Sequence, residues 1–75
     1  MEQLRDTQRP PRILRLREVR ARTGRSTSSI YQDMRDGLFP RPVSLGGASV
    51  GWIEAEVSRW IEARIAERDG AKATP

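Results

Sequence analysis

Seventy-five residues allow one small domain, and a chain of this length buries only about 60% of the surface it exposes when unfolded, which leaves little room for an enzyme cleft. The sequence has no Cys and no His, so disulfides, thiolate and imidazole chemistry and the usual zinc sites are excluded together. The formal charge of +4 is uneven: residues 1–41 carry ten Arg against five acids (Glu2, Asp6, Glu18, Asp33, Asp36), whereas residues 42–75 carry four basic residues against five acids.

Positive potential therefore belongs to the first half. Thirteen of the fourteen basic residues are Arg, whose planar fork suits phosphate and guanine edges. A GC-rich genome would equally favour Arg over Lys, but it would not put the charge on one side. No run of about 18 apolar residues occurs, and MEQLRDTQRPPR lacks the apolar middle of a signal peptide, so a soluble cytoplasmic protein is expected.

Residues 1–11 are polar, contain Pro10 and Pro11 and show no periodicity, which predicts a flexible basic arm. In RILRLREVRARTG, Ile13 and Leu14 suggest a short extended piece. Leu16, Val19 and Arg22 or Thr23 then follow a helical step, so a helix is expected over 17–22, ended by Gly24 in a left-handed cap. Ser26 is placed to cap a second helix over 27–36, with Ser29 standing where a capping-box Glu would complete the motif. Ile30 and Met34 form its inward stripe, and Ser28, Tyr31, Gln32 and Arg35 its polar face. Asp36 and Gly37 close it, and Leu38 is expected to supply the apolar contact that follows such a cap. Two short helices around a Gly-containing turn make the helix-turn-helix pattern, which also occurs in proteins that never meet nucleic acid.

Beyond it, Pro40 and Pro42 forbid helix, while Val43, Leu45, Val50 and Trp52 alternate on either side of Gly46 and Gly47. This predicts a hairpin with strands near 43–45 and 50–52 and a tip of GGAS. Glu54 and Glu56 favour a helix start, and Ile53, Val57, Trp60, Ile61 and Ile65 recur at helical steps. A third helix is expected from 53 or 54 to 66 or 67, with Trp60 in the core, no long heptad seam and a disordered tail over 68–75.

The hydroxyls of Ser26, Thr27, Ser28 and Ser29 could be read as nucleophiles, but only carboxylates and Lys72 could serve them as bases. Phosphorylation there would add negative charge to the basic half, and Gly46-Gly47 lacks the residues of a phosphate loop. No enzyme activity, cofactor or metal is expected. Nucleic-acid binding is what the residues support, with Ser28, Gln32 and Arg35 as candidates for base edges and Arg25, Tyr31 and Arg41 for phosphate. Ser26 and its neighbours set backbone N–H groups at a helix start, a natural phosphate position.

The run ILRLREVRARTGRSTSSIYQDMRDGLFPRPVSLGGASVGWIEAEVSRWIEAR resembles the AlpA family of phage and prophage regulators, small relatives of excisionases and of MerR-type winged-helix DNA-binding domains. The resemblance rests on Leu16 and Val19, Thr23-Gly24, Ser26 with Ser29-Ile30-Tyr31, Asp36-Gly37, Phe39-Pro40, Pro42-Val43, Gly51-Trp52, Glu56-Val57 and Trp60. It implies a mainly α fold with a small β-hairpin wing, a winged helix-turn-helix over 12–67. Thr27, Ser28, Tyr31, Gln32 and Arg35 would lie on the recognition helix. It further implies double-stranded DNA as partner, acting as a transcriptional regulator of an integrase gene or as an excision factor, with further copies of itself or an integrase as partners. No membrane and no small-molecule substrate is implied, and the place of action would be the nucleoid. The departure is in the wing, where similar proteins carry basic residues and this chain has Ala48 and Ser49. Gly47 and Ser49 could then offer only backbone N–H groups and a hydroxyl, which leaves Arg41 at the wing's base to supply charge. An uncharged wing also suits a protein-interaction module on the same fold, an anti-repressor or adaptor.

Overall fold

The alternation in SVGWI sets the architecture of the protein, which is described by a computed structural model over residues 10–72. Strand β3 (Ser49–Ile53) lies in the middle of a three-stranded antiparallel sheet, between β1 (Ile13–Leu14) and β2 (Val43–Gly46). Leu14 stands opposite Trp52 in the register, and both are fully buried, while Ile13 stands opposite Ile53 on the other face. The expected hairpin is thus present, with Val43 opposite Gly51 and Ser44 opposite Val50, and the extended piece at 13–14 joins it as a third strand. A bulge between Ser44 and Gly46 brings Gly46 opposite Ser49, and the chain turns over Gly47 and Ala48.

Three helices cover one face of this sheet. Helix α1 (Leu16–Thr23) begins where the Arg15 N–H donates to Glu18 Oε1 at 3.0 Å and ends where the Gly24 N–H donates to Arg20 O at 2.8 Å, with Gly24 at φ 72°. Helix α2 is Thr27–Arg35, and helix α3 is Glu54–Lys72. The Glu54 N–H donates to Arg12 O at 2.8 Å, so the chain just ahead of β1 satisfies one of the free donors at the start of α3. The core takes one buried side chain from nearly every element: Leu14, Val19, Ile30, Trp52 and Val57, with Phe39 supplied by the segment between α2 and β2. Leu16, Tyr31, Met34, Val50, Trp60 and Ile61 surround these six, half-buried.

Two expectations need correction. Helix α3 does not stop at 66 or 67 but continues to Lys72, so 68–72 is helical rather than part of a disordered tail. Ala66, Glu67, Arg68 and Ala71 are good helix formers, Arg64 pairs with Glu67 one turn on, and a lone Gly70 costs only about 1 kcal/mol against Ala. Leu38 does not fold back over the end of α2: it is 62% exposed, because the residues it would cover, Gln32 and Asp33, are polar, and Phe39 enters the core instead. The basic arm expected at the N-terminus falls on residues of which 1–9 lie outside the described ones, as do 73–75 of the tail.

Gly51 marks the tightest point of the sheet. A Cβ there would lie 2.3 Å from Ile13 Cγ2 and 3.1 Å from Leu45 Cδ1, so side chains from both flanking strands meet over it. Gly51→Ala should lower stability by about 1–3 kcal/mol in urea unfolding. Combined with Ile13→Ala it should cost clearly less than the sum of the two single losses, since removing the Ile13 methyls opens the space.

Candidate nucleic-acid interface

Helix α2 is closed at both ends by its own residues. Ser26, with extended backbone at φ −77° and ψ 162°, accepts the Ser29 N–H on Oγ at 3.2 Å and donates its hydroxyl to Ser29 Oγ at 3.1 Å. The two hydroxyls occupy one another, and the Ser26 carbonyl takes the Ile30 N–H at 3.0 Å. No side chain caps the N–H groups of Thr27 and Ser28 among the described residues, and they stay available to a ligand. At the other end the Leu38 N–H donates to Asp33 O at 2.7 Å and the Gly37 N–H to Met34 O at 3.2 Å, a Schellman arrangement that needs the positive φ of 73° at Gly37.

Between these caps the expected polar face divides. Ser28, Gln32 and Arg35 are exposed and succeed one another at helical spacing. Arg35 Nη2 donates to Gln32 Oε1 at 2.8 Å, and Gln32 Nε2 donates to Asp36 Oδ2 at 3.3 Å. Tyr31, grouped with them from the sequence, turns inward: its ring meets Trp52 edge-on with centroids 6.3 Å apart at 73°. Thr27 is half-buried one turn before it.

Arg25 also has another partner. Its guanidinium pairs with Asp33 Oδ2 at 2.8 Å, with the two side chains 35% and 18% exposed, and so ties the inter-helix turn to the last turn of α2. The turn is held further by Thr23, whose Oγ1 donates to Val19 O at 2.8 Å and accepts the Arg25 N–H at 3.2 Å.

Arg17 and Arg20 are functional candidates that the apolar pattern of α1, which marks its buried positions, does not reveal. With Ala21, Gly24, Arg25 and Ser26 they line an open recess of about 440 Å³ at the start of α2. Both are exposed and make no ion pair among the described residues, unlike Arg22, which pairs with Glu54 at 2.7 Å, and Arg12, which approaches the same carboxylate at 3.7 Å. Their i, i+3 spacing ahead of Gly24 was the available signal. Arg41 is exposed before β2 and likewise unpaired among the described residues, and Gly47 and Ser49 sit exposed at the hairpin tip. The structure thus gathers Arg17, Arg20, Arg25 and Ser26 in one recess and Ser28, Gln32 and Arg35 on one face, with Arg41, Gly47 and Ser49 on a separate element. Among the described residues no group of three or more Asp and Glu could hold a metal ion, and no helix is long and apolar enough to cross a membrane.

Residues 12–65, which run from just before β1 through α1, α2 and the hairpin and into α3, match the family model of the prophage CP4-57 regulatory protein (AlpA). The chain belongs to the AlpA family. Two curated relatives agree. The DNA-binding transcriptional activator AlpA of Escherichia coli (strain K12) is 42% identical over 59 residues, covering 71% of this chain and 84% of that protein. The uncharacterized protein ORF88 of Enterobacteria phage P4 is 49% identical over 57 residues, covering 76% of this chain and 65% of that protein, just under two thirds of its length. No solved structure matches. The AlpA family window contains both the recess and the exposed face of α2.

Because Ser26 closes α2, Ser26→Ala should cost about 1 kcal/mol, seen as a fall of about 4–8 °C in the thermal midpoint. Ser28→Ala removes an exposed hydroxyl with no hydrogen-bond partner among the described residues and should stay within about 0.5 kcal/mol of the parent.

Proposed function

We propose that this AlpA-family chain is a sequence-specific, double-stranded-DNA-binding transcriptional regulator, a winged helix-turn-helix in which α2 enters the major groove and the β2–β3 hairpin is the wing. The observation that carries the reading is the pair of guanidiniums, Arg17 and Arg20, that make no ion pair among the described residues and line the recess at the N-terminus of α2, with Ser28, Gln32 and Arg35 exposed along that helix. Cations and free N–H groups at a helix start suit a phosphate, and phosphate contacts fix the register from which a helix face can read bases. The activator from Escherichia coli named for DNA binding supports it. Control of an integrase gene or of prophage excision is the finer role we assign, as AlpA-type regulation of a mobile element.

Arg25 and Ser26 belong to this surface chiefly as its supports, since both are engaged within the protein. Tyr31 holds α2 against the sheet. Arg41 supplies the charge that Gly47, Ala48 and Ser49 at the wing tip lack.

In a salt titration of duplex binding, Arg17→Ala and Arg20→Ala should each weaken selected and random duplexes alike and lower the slope of log K against log salt by about one. Arg35→Ala should weaken the selected duplex by about 5- to 150-fold more than it weakens the random one. If micromolar protein bound no duplex in a salt-dependent way, the DNA reading would fall and the protein-interaction module would replace it.

A further inference from the structure

An acidic side chain on a face that meets a polyanion needs a reason to be there, and Asp36 is such a residue. It is exposed, and among the described residues it makes no ion pair and its carboxylate accepts from Gln32 alone, whose carbonyl accepts from Arg35. A guanidinium can only donate and a carboxylate can only accept, so the amide between them has one allowed orientation. The spacing makes Gln32 the bridge: it faces Arg35 at i+3 and Asp36 at i+4, while Arg35 and Asp36, adjacent in sequence, do not face each other.

The orientation decides what the face can read. A free Gln offers an N–H and a carbonyl side by side, the pair that matches the N7 and amino group of adenine. Here one amide hydrogen is engaged by Asp36 and one of the two carbonyl lone pairs by Arg35, so the second Gln32 N–H and the remaining Arg35 N–H groups outnumber the single acceptor site left on Gln32, and the outward edge is rich in donors. A donor edge matches the purine that shows only acceptors in the major groove, guanine with O6 and N7. We propose that Asp36 is a positioning residue: it orients Gln32, and through it Arg35, so that α2 reads guanine. The inference rests on the placement of α2 in the major groove proposed above.

The test is selection of sites from a random duplex pool by the full chain, followed by titration of the selected and a scrambled duplex at fixed salt. Parent, Arg35→Ala, Asp36→Ala and Asp36→Asn are compared, with circular dichroism to confirm folding. The parent should select a site with a fixed guanine that Arg35→Ala no longer requires. Asp36→Ala should bind the scrambled duplex more tightly, having lost a negative charge, yet reduce the selected-to-scrambled ratio about tenfold and admit adenine at the guanine position. Asp36→Asn keeps an acceptor for the Gln32 amide and should hold the ratio within about threefold of the parent. If both Asp36 variants tightened the two duplexes equally and left the ratio unchanged, Asp36 would be a charge and no more, while the DNA reading stood. A parent that selected no sequence would overturn both.

Discussion

A buried indole must place its N–H, and in this protein that requirement fixes the rest. Trp52 is completely enclosed in the core and donates Nε1–H to Pro40 O at 3.0 Å. Trp60, on α3, donates its own Nε1–H to Leu38 O at 2.8 Å. The two acceptors flank Phe39, whose ring lies edge-on to Trp60 with centroids 5.0 Å apart. Indoles from the central strand and from the last helix thus hold the two peptide units on either side of one buried phenyl ring. The segment between α2 and β2 has no ladder of its own to satisfy its carbonyls, and Pro40 and Pro42 remove donors from it, so side-chain donors from elsewhere fill the gap. The exit of α2 is pinned to both the sheet and α3, and with it the direction in which the exposed face of α2 points.

The charge distribution reads differently once partners are assigned. The basic half of the sequence is not a uniform cationic surface. Arg12 and Arg22 converge on Glu54 and join the start of the domain to α3, and Arg25 is spent on Asp33 inside the two-helix unit. Among the described residues Arg15, Arg17, Arg20, Arg35 and Arg41 pair with no acid, and it is the acids, by their positions, that decide which of the described arginines face outward unneutralised.

Features that depend on a few neighbouring residues were legible in the sequence: the caps at Gly24, Ser26 and Gly37, the inward Ile30, the alternation that builds β2 and β3. What was not legible depends on distant partners. Nothing local distinguishes Tyr31 from Gln32 as a surface residue, since its inward turn is set by Trp52 across the fold. Arg25 reads as free until Asp33, two turns on, is brought beneath it. Leu38 and Phe39 are both apolar, and it is Phe39 that meets the Trp60 ring and is enclosed, while Leu38 would cover only polar residues at the end of α2. On the candidate surface the row Ser28, Gln32, Arg35 followed from periodicity, while the recess did not, because it is formed by one helix meeting the turn before the next.

The pairing of β1 with β3 also has a bearing on the order in which the chain can fold. Each of α1 and α2 carries its own end signals and needs only local closure, but the Leu14–Trp52 partnership and the Glu54 N–H bond to Arg12 join the two ends of the domain. Closing so long a loop is entropically the slow step and is rewarded only when Trp52 and Val57 arrive to cover Val19 and Ile30. A nascent chain that has emerged only as far as the hairpin tip therefore holds a helix pair with its apolar side bare, and the surface proposed to meet DNA acquires its fixed shape only with the last strand and helix.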